Sequence, residues 1–180
     1  MFHYILQFKE IYILLQNIFK VRAFYRGMKY AHWIKVSVFA KEEESDTLIL
    51  QKLASLFPFS IDKLLKKEIA LGFFEKKICI FEVLLKKDKE MNAFIEFFLG
   101  SMNMEEKNIL LSQLDSRLDE FLHFFIRIDK RDFIENNVIS ITDSGDCFHI
   151  KISVASFPKK RRTAKKVVES MIRNSMKRAV

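Results

Sequence analysis

FLHFFIRIDKRDFIENNVISITDSGDCFHIKISV, residues 121–154, is the stretch on which the fold turns. Phe124, Ile126 and Ile128 alternate with His123, Phe125 and Arg127; Phe148, Ile150, Ile152 and Val154 alternate with His149, Lys151 and Ser153. A period of two sends successive side chains to opposite faces, so Phe121–Ile128 and Cys147–Val154 read as strands with one apolar face and one mixed face. Asp143-Ser-Gly-Asp146 is a turn ahead of the second strand, and Val138–Ile141 reads as a further short strand.

The same period recurs upstream, where Ile34, Val36 and Val38 alternate with Trp33, Lys35 and Ser37 across Trp33–Ala40. An acidic turn, KEEES, leads into a helix that Ser45 or Asp46 caps and Pro58 ends. Residues 67–85 read as a hairpin turning near Glu75, Lys76 and Lys77, followed by helices over Asp88–Ser101 and Glu105–Leu114. Beyond a basic break at Lys159–Arg162, Thr163–Arg178 is an amphipathic helix: Ala164, Val167, Val168, Met171, Ile172 and Met176 share one face, with Lys166, Arg173 and Lys177 opposite. The expected fold is α+β and two-layered, an antiparallel sheet with helices packed mainly on one face and a basic C-terminal helix. Its expected parts are an N-terminal extension, 1–27, a domain, 28–158, and the basic helix, 159–180.

Residues 1–27 leave three readings open: a helix docked on the domain, an interfacial membrane helix, or a stretch upstream of a true start at Met28. The last is favoured, because Met28 stands directly before the first clear strand. The uncharged run Ile11–Phe19 is far shorter than the roughly 20 residues a membrane span needs, so no spanning helix is expected. With two distant cysteines, Cys79 and Cys147, and no secretory signal, the expected setting is cytoplasmic.

Four glycines are too few for a phosphate-cradling nucleotide loop, and no metal-ligand spacing joins the four histidines, so neither cofactor nor metal is expected. Asp115, Asp119, Glu120, Asp129 and Asp132 could be read as a two-metal carboxylate set, but Arg117, Arg127, Lys130 and Arg131 are interspersed and ion-paired surface charge is the simpler account. No reaction is specified.

The net charge of +8 is concentrated at the ends, with nine Lys or Arg in 159–180 against Glu169 alone. Lys159, Lys160, Arg161 and Arg162 crowd a helix N-terminus, where the macrodipole disfavours cations and a phosphate would reverse the penalty. With Lys165, Lys166, Arg173 and Lys177 they form one candidate RNA surface. The outward face of the strands, with Trp33, Lys35, Phe125, Arg127 and Lys151 beside His123 and His149, is a second, since unpaired bases stack on aromatics while cations follow the backbone.

Arg117-Leu-Asp-Glu120, then Arg127-x-Asp129-Lys130, then Asp146 to Ile152, resemble the archaeal RNA-binding family described as predicted exosome subunits. The resemblance covers residues 31–158, with one departure: Gly72-Phe-Phe-Glu-Lys-Lys77 stands where that family usually has a Gly-Asn turn. It implies a fold like that of the large-subunit ribosomal protein that contacts 5S RNA. It further implies RNA as a partner, with exosome or ribosomal ribonucleoprotein subunits, and a non-catalytic role in RNA processing or ribosome biogenesis. The competing expectation is a protein-interaction subunit that docks on a larger complex through Trp33 and the N-terminal apolar segment.

Overall fold

The computed structural model describes residues 29–71 and 77–177. The N-terminal extension, the start at Met28 and the hairpin tip at residues 72–76 lie outside them. Five strands, β1 (Ala31–Lys41), β2 (Leu65–Leu71), β3 (Lys77–Leu85), β4 (His123–Asp129) and β5 (Cys147–Val154), form one antiparallel sheet in the order β2-β3-β1-β5-β4. Five helices complete the described part: α1 (Asp46–Ser55), α2 (Asp88–Ser101), α3 (Met104–Ser112), α4 (Lys130–Asn136) and α5 (Arg161–Met176).

Alternation decides which face the helices cover. Ile34, Val36, Val38, Phe81, Val83, Phe124, Ile126, Ile128, Phe148, Ile150 and Ile152 are all buried, while their neighbours along each strand keep partial exposure. On α2, Met91, Phe94, Ile95, Phe98 and Leu99 recur at i, i+3, i+4, i+7 and i+8 and fill the inter-layer space, with Phe94 stacked on Phe98 at 5.5 Å and tilted against Phe57 at 4.9 Å. Ala164, Val168, Met171 and Ile172 do the same for α5, which packs on β5, α2 and α3. Each large apolar side chain so buried contributes roughly 1.5–3 kcal/mol, and among the described residues no helix covers the sheet's other face.

The register sets the face that follows. Lys35 lies opposite Lys151, which lies opposite Phe125; Ser37 lies opposite His149, which lies opposite Arg127. A bulge between Ala31 and Trp33 shifts the pairing so that Trp33 meets Ser153, itself paired with His123.

Several expectations are corrected. Val138–Ile141 is not a strand: Ile141 makes an isolated bridge with Ile128, and the Ser140 carbonyl accepts from the Asp129 amide at 2.9 Å. Lys130–Asn136, unassigned in the sequence, is the helix α4; the Asp129 carboxylate accepts from the Asp132 amide at 2.9 Å to cap it, Phe133 is buried, and Asn137 ends it in the left-handed region at φ 57°. β4 begins at His123 rather than Phe121, because Leu122 turns the chain at φ 64°. α5 begins two residues before Thr163, at Arg161. Ser45 is the cap of α1, its hydroxyl accepting from the Leu48 amide at 3.3 Å.

Candidate nucleic-acid interface

At the end of the sheet where β1 and β4 begin and β5 ends, the uncovered face carries a run of rings. Trp33 and His123 have centroids 5.2 Å apart, Phe121 lies 6.2 Å from His123, Phe125 meets His123 edge-on at 6.4 Å, and Phe125 stacks on His149 at 5.5 Å. The Lys151 ammonium lies 5.8 Å from the Trp33 ring centre and 5.3 Å from that of Phe125, tying β1 to β4 across β5. Lys35 pairs with Glu82 at 3.0 Å, and Arg127 closes the row beyond His149. Trp33, Lys35, Phe125, Arg127 and Lys151 therefore form one continuous aromatic and basic surface.

His149 is the electrostatic reporter of that surface. Burial pushes its pKa below the usual histidine value, and Arg127, Lys35 and Lys151 push it further in the same direction. Three cations thus face a neutral imidazole, a field that suits a polyanion.

His123 is placed from the neighbouring loop. Asp119 Oδ1 accepts from the His123 amide at 2.7 Å, and Oδ2 lies 3.0 Å from Nδ1. Burial alone would raise the Asp119 pKa, but the bonds from His123 outweigh it and hold the carboxyl below its ordinary range. The Asp119 carbonyl also accepts from Arg161 at 3.3 Å, so one residue joins the ring platform to the start of α5.

The eight cations of the C-terminal segment that lie among the described residues divide into two groups. Arg161 donates to the Asp115 carbonyl at 2.6 Å, Lys165 pairs with the Asp115 carboxylate at 2.7 Å, and Arg173 pairs with Glu169 at 2.8 Å. Lys165 and then Arg161 hold the Asp115 carboxyl below its ordinary pKa. The fold therefore has a structural use for two cations at this helix start that the sequence did not disclose. Lys159, Lys160, Arg162, Lys166 and Lys177 are exposed and have no carboxylate within ion-pair reach among the described residues. Arg162 and Lys166 line a groove of about 470 Å³ with Arg161, Lys165 and Leu114.

The residues that carry the family resemblance are mostly scaffold. Arg117 is 3% exposed, donates to Gln113 Oε1 at 2.8 Å and pairs with Asp143. Lys130 is buried between Glu44 and Asp146, both at 2.7 Å, and also donates to the Phe39 carbonyl at 3.0 Å. Asp115, Asp119 and Glu120 precede β4 whereas Asp129 ends it and Asp132 lies in α4; Asp115 is engaged with Lys165, Asp119 with His123 and Asp129 with the α4 cap, so the carboxylates do not converge. Among the described residues no group of three or more His, Cys, Asp or Glu could hold a metal, and no helix is long and apolar enough to cross a membrane.

The sequence reading missed Phe121, 64% exposed, and Phe157, 95% exposed. The Val154 amide donates to the Leu122 carbonyl at 3.0 Å and Arg161 to the Asp119 carbonyl at 3.3 Å, so the segment that carries Phe157 and Lys159 is anchored at both ends to the loop that carries Phe121. An aromatic residue next to a charged turn was the available signal.

The chain is 27% identical over 149 residues to the RNA-binding protein PAB1135 of Pyrococcus abyssi, covering 81% of this chain and 96% of that one. Protein AF2318 of Archaeoglobus fulgidus, matched to the family model DUF54, superposes with a TM-score of 0.71 at 26% identity, over 78% of this chain and 99% of that one. A DUF54 protein of Methanothermobacter thermautotrophicus shares the fold with a TM-score of 0.66 at 23% identity, over 80% of this chain and 99% of that one. The model of the RNA-binding family matches residues 33–154, from Trp33 in β1 to the last residue of β5, and the chain belongs to that family.

Proposed function

We propose that this protein is a non-catalytic RNA-binding accessory factor that takes unpaired bases on the sheet face around Trp33, Phe125 and Arg127 and phosphates on the α5 surface. The observation that carries the reading is Lys151, whose ammonium lies over both Trp33 and Phe125 on a face that no helix covers among the described residues. Stacking on the rings is tolerant of sequence, and the cations beside them supply the salt-dependent part of the affinity. Lys159, Lys160, Arg162, Lys166 and Lys177 are the free phosphate ligands; Arg161, Lys165 and Arg173 contribute charge while holding the helix in place.

The narrower reading, drawn from the resemblance over residues 31–158, is a cytoplasmic factor that works with the exosome or in ribosome assembly. It includes kinship with the large-subunit ribosomal protein that contacts 5S RNA. A tagged full-length chain expressed in an archaeal host should co-purify exosome or ribosomal subunits in a ribonuclease-sensitive manner. Ribonuclease-resistant capture would favour the docking-subunit reading instead. The cations beside Trp33 and Phe125 argue against a purely protein-binding sheet face, since protein-interface cores are depleted in charge. Fluorescence anisotropy with a short single strand tests the RNA reading itself: binding that weakens steeply with salt supports it, and no binding at low salt would remove it.

A further inference from the structure

The domain that reads as slightly acidic along the sequence is divided by the fold into unlike ends. Glu42, Glu43 and Glu44 follow β1 at one end, close to Asp129 and Asp146. At the other end, where β1 and β4 begin, the start of β2 and the end of β3 bring together four lysines from separate stretches. Lys63 and Lys66 flank the start of β2, and Lys86 and Lys89 follow β3. Leu65 pairs with Val83 and Lys66 with Glu82, so the two pairs of lysines border one corner of the sheet.

Three carboxylates near this corner are ion-paired with other lysines and a fourth is hydrogen-bonded. Glu82 pairs with Lys35 at 3.0 Å, Asp88 with Lys29 at 3.2 Å, Glu90 with Lys87 at 3.2 Å, and Asp62 accepts from the Ser60 hydroxyl at 2.7 Å. Lys63, Lys66, Lys86 and Lys89 are exposed and have no carboxylate within ion-pair reach among the described residues. Lys63, Lys87 and Lys89 line a groove of about 470 Å³ in which Asp62 and Glu90 are the acidic residues. Such charge, unpaired among the described residues, suits an external anion.

The corner is also in line with the rings. Ile34 pairs with Leu85, so Lys86 emerges next to Trp33; Trp33 meets Ser153, which meets His123, Phe121 lies against His123, and Arg161 at the start of α5 is held on the Asp119 carbonyl beside them. Across this end the order is therefore lysines, aromatics, then the α5 cations. Neighbouring strands are about 4.8 Å apart, so the run from β2 to β4 is roughly 19 Å, within what a platform for about 4–16 nucleotides spans.

We propose that a single strand of RNA crosses the sheet at this end, perpendicular to the strands, with phosphates held at Lys63, Lys66, Lys86 and Lys89 on one side and at Lys159, Lys160 and Arg162 on the other. This rests on the RNA-binding reading and adds a second phosphate site to it. The test uses the full chain and fluorescein-labelled mixed-sequence single strands of about 2 and about 12 nucleotides, the first too short to reach from the rings to the lysines. In the K63A/K66A/K86A/K89A variant the longer strand should bind about tenfold more weakly with a salt slope shallower by about 2, while the shorter strand, held on the rings, changes less than about twofold. Unchanged binding of the longer strand, or an equal loss for both, overturns the path and leaves RNA binding standing. Failure of the unsubstituted protein to bind either strand overturns the RNA-binding reading and the path with it.

Discussion

Asp119 holds His123 twice, through the backbone amide at 2.7 Å and through the ring at 3.0 Å, and with its own carbonyl it holds Arg161 at 3.3 Å. The turn between them carries Leu122 at φ 64°, with its side chain buried, so the loop ahead of β4 is over-determined by contacts from both sides. Asp119→Ala should lower stability by about 1–2 kcal/mol in chemical denaturation, because the His123 amide and ring lose their acceptor. RNA affinity should fall about threefold or more as His123 loses its place against Trp33. Asp119→Asn, which keeps one acceptor, should lie between the two.

The rings and the cations should separate in a salt series. Trp33→Ala or Phe125→Ala removes stacking worth roughly 1–3 kcal/mol per base and leaves the salt slope unchanged. Arg162→Ala with Lys166→Ala should reduce the slope by roughly 0.7 per residue and weaken all sequences alike. Anisotropy at four or more salt concentrations distinguishes these; a Trp33 variant that alters the slope while sparing low-salt affinity would reverse the assignment.

Lys130 is the scaffold counterpart of these surface groups. Its side chain is 4% exposed, and Lys130→Met would leave Glu44 and Asp146 facing each other with only Lys41, 2.9 Å from Asp146, between them and solvent. Removing one partner of a buried pair costs several kcal/mol, and the partial exposure of both carboxylates reduces that to about 2 kcal/mol. Thermal melts should show the loss, and RNA affinity at a temperature where the variant is folded should be unchanged.

The strands were legible because period-two alternation is a local property, and Phe124, Ile126, Phe148 and Ile150 point inward as it requires. α4 was not, because seven residues beginning Lys-Arg-Asp carry too little apolar signal and its stability comes from Asp129 capping and Phe133 burial. The division of charge between the two ends of the sheet was also hidden. It depends on β2 and β3 pairing, which brings Lys63 to the same groove as Lys89, and no reading along the chain sums charges across that distance. The partners of Arg161 and Lys165 were hidden for the same reason, since Asp115 lies far from both in sequence.

His149 gives the face a pH signature. Its folded pKa is below the ordinary 6.5, from burial and from Arg127, Lys35 and Lys151, so as pH falls below about 6.5 the unfolded chain takes up the proton first and stability declines. Bound phosphates offset those three cations and favour imidazolium, so RNA affinity should rise over the same interval, with proton uptake on binding. His149→Phe, which keeps a ring against Phe125, should flatten both dependences. Denaturation and anisotropy between about pH 5.5 and 7.5 check them, and an affinity independent of pH in the unsubstituted protein would remove this role of His149.

The central claim is that the uncovered sheet face and the free α5 cations bind RNA together. It is tested most directly by anisotropy of a labelled single strand with the full chain, comparing the unsubstituted protein with W33A/F125A and with K159A/K160A/R162A/K166A. The account predicts loss of affinity in both, with the salt slope retained in the first and reduced in the second. Affinity and slope unchanged in both variants would contradict it.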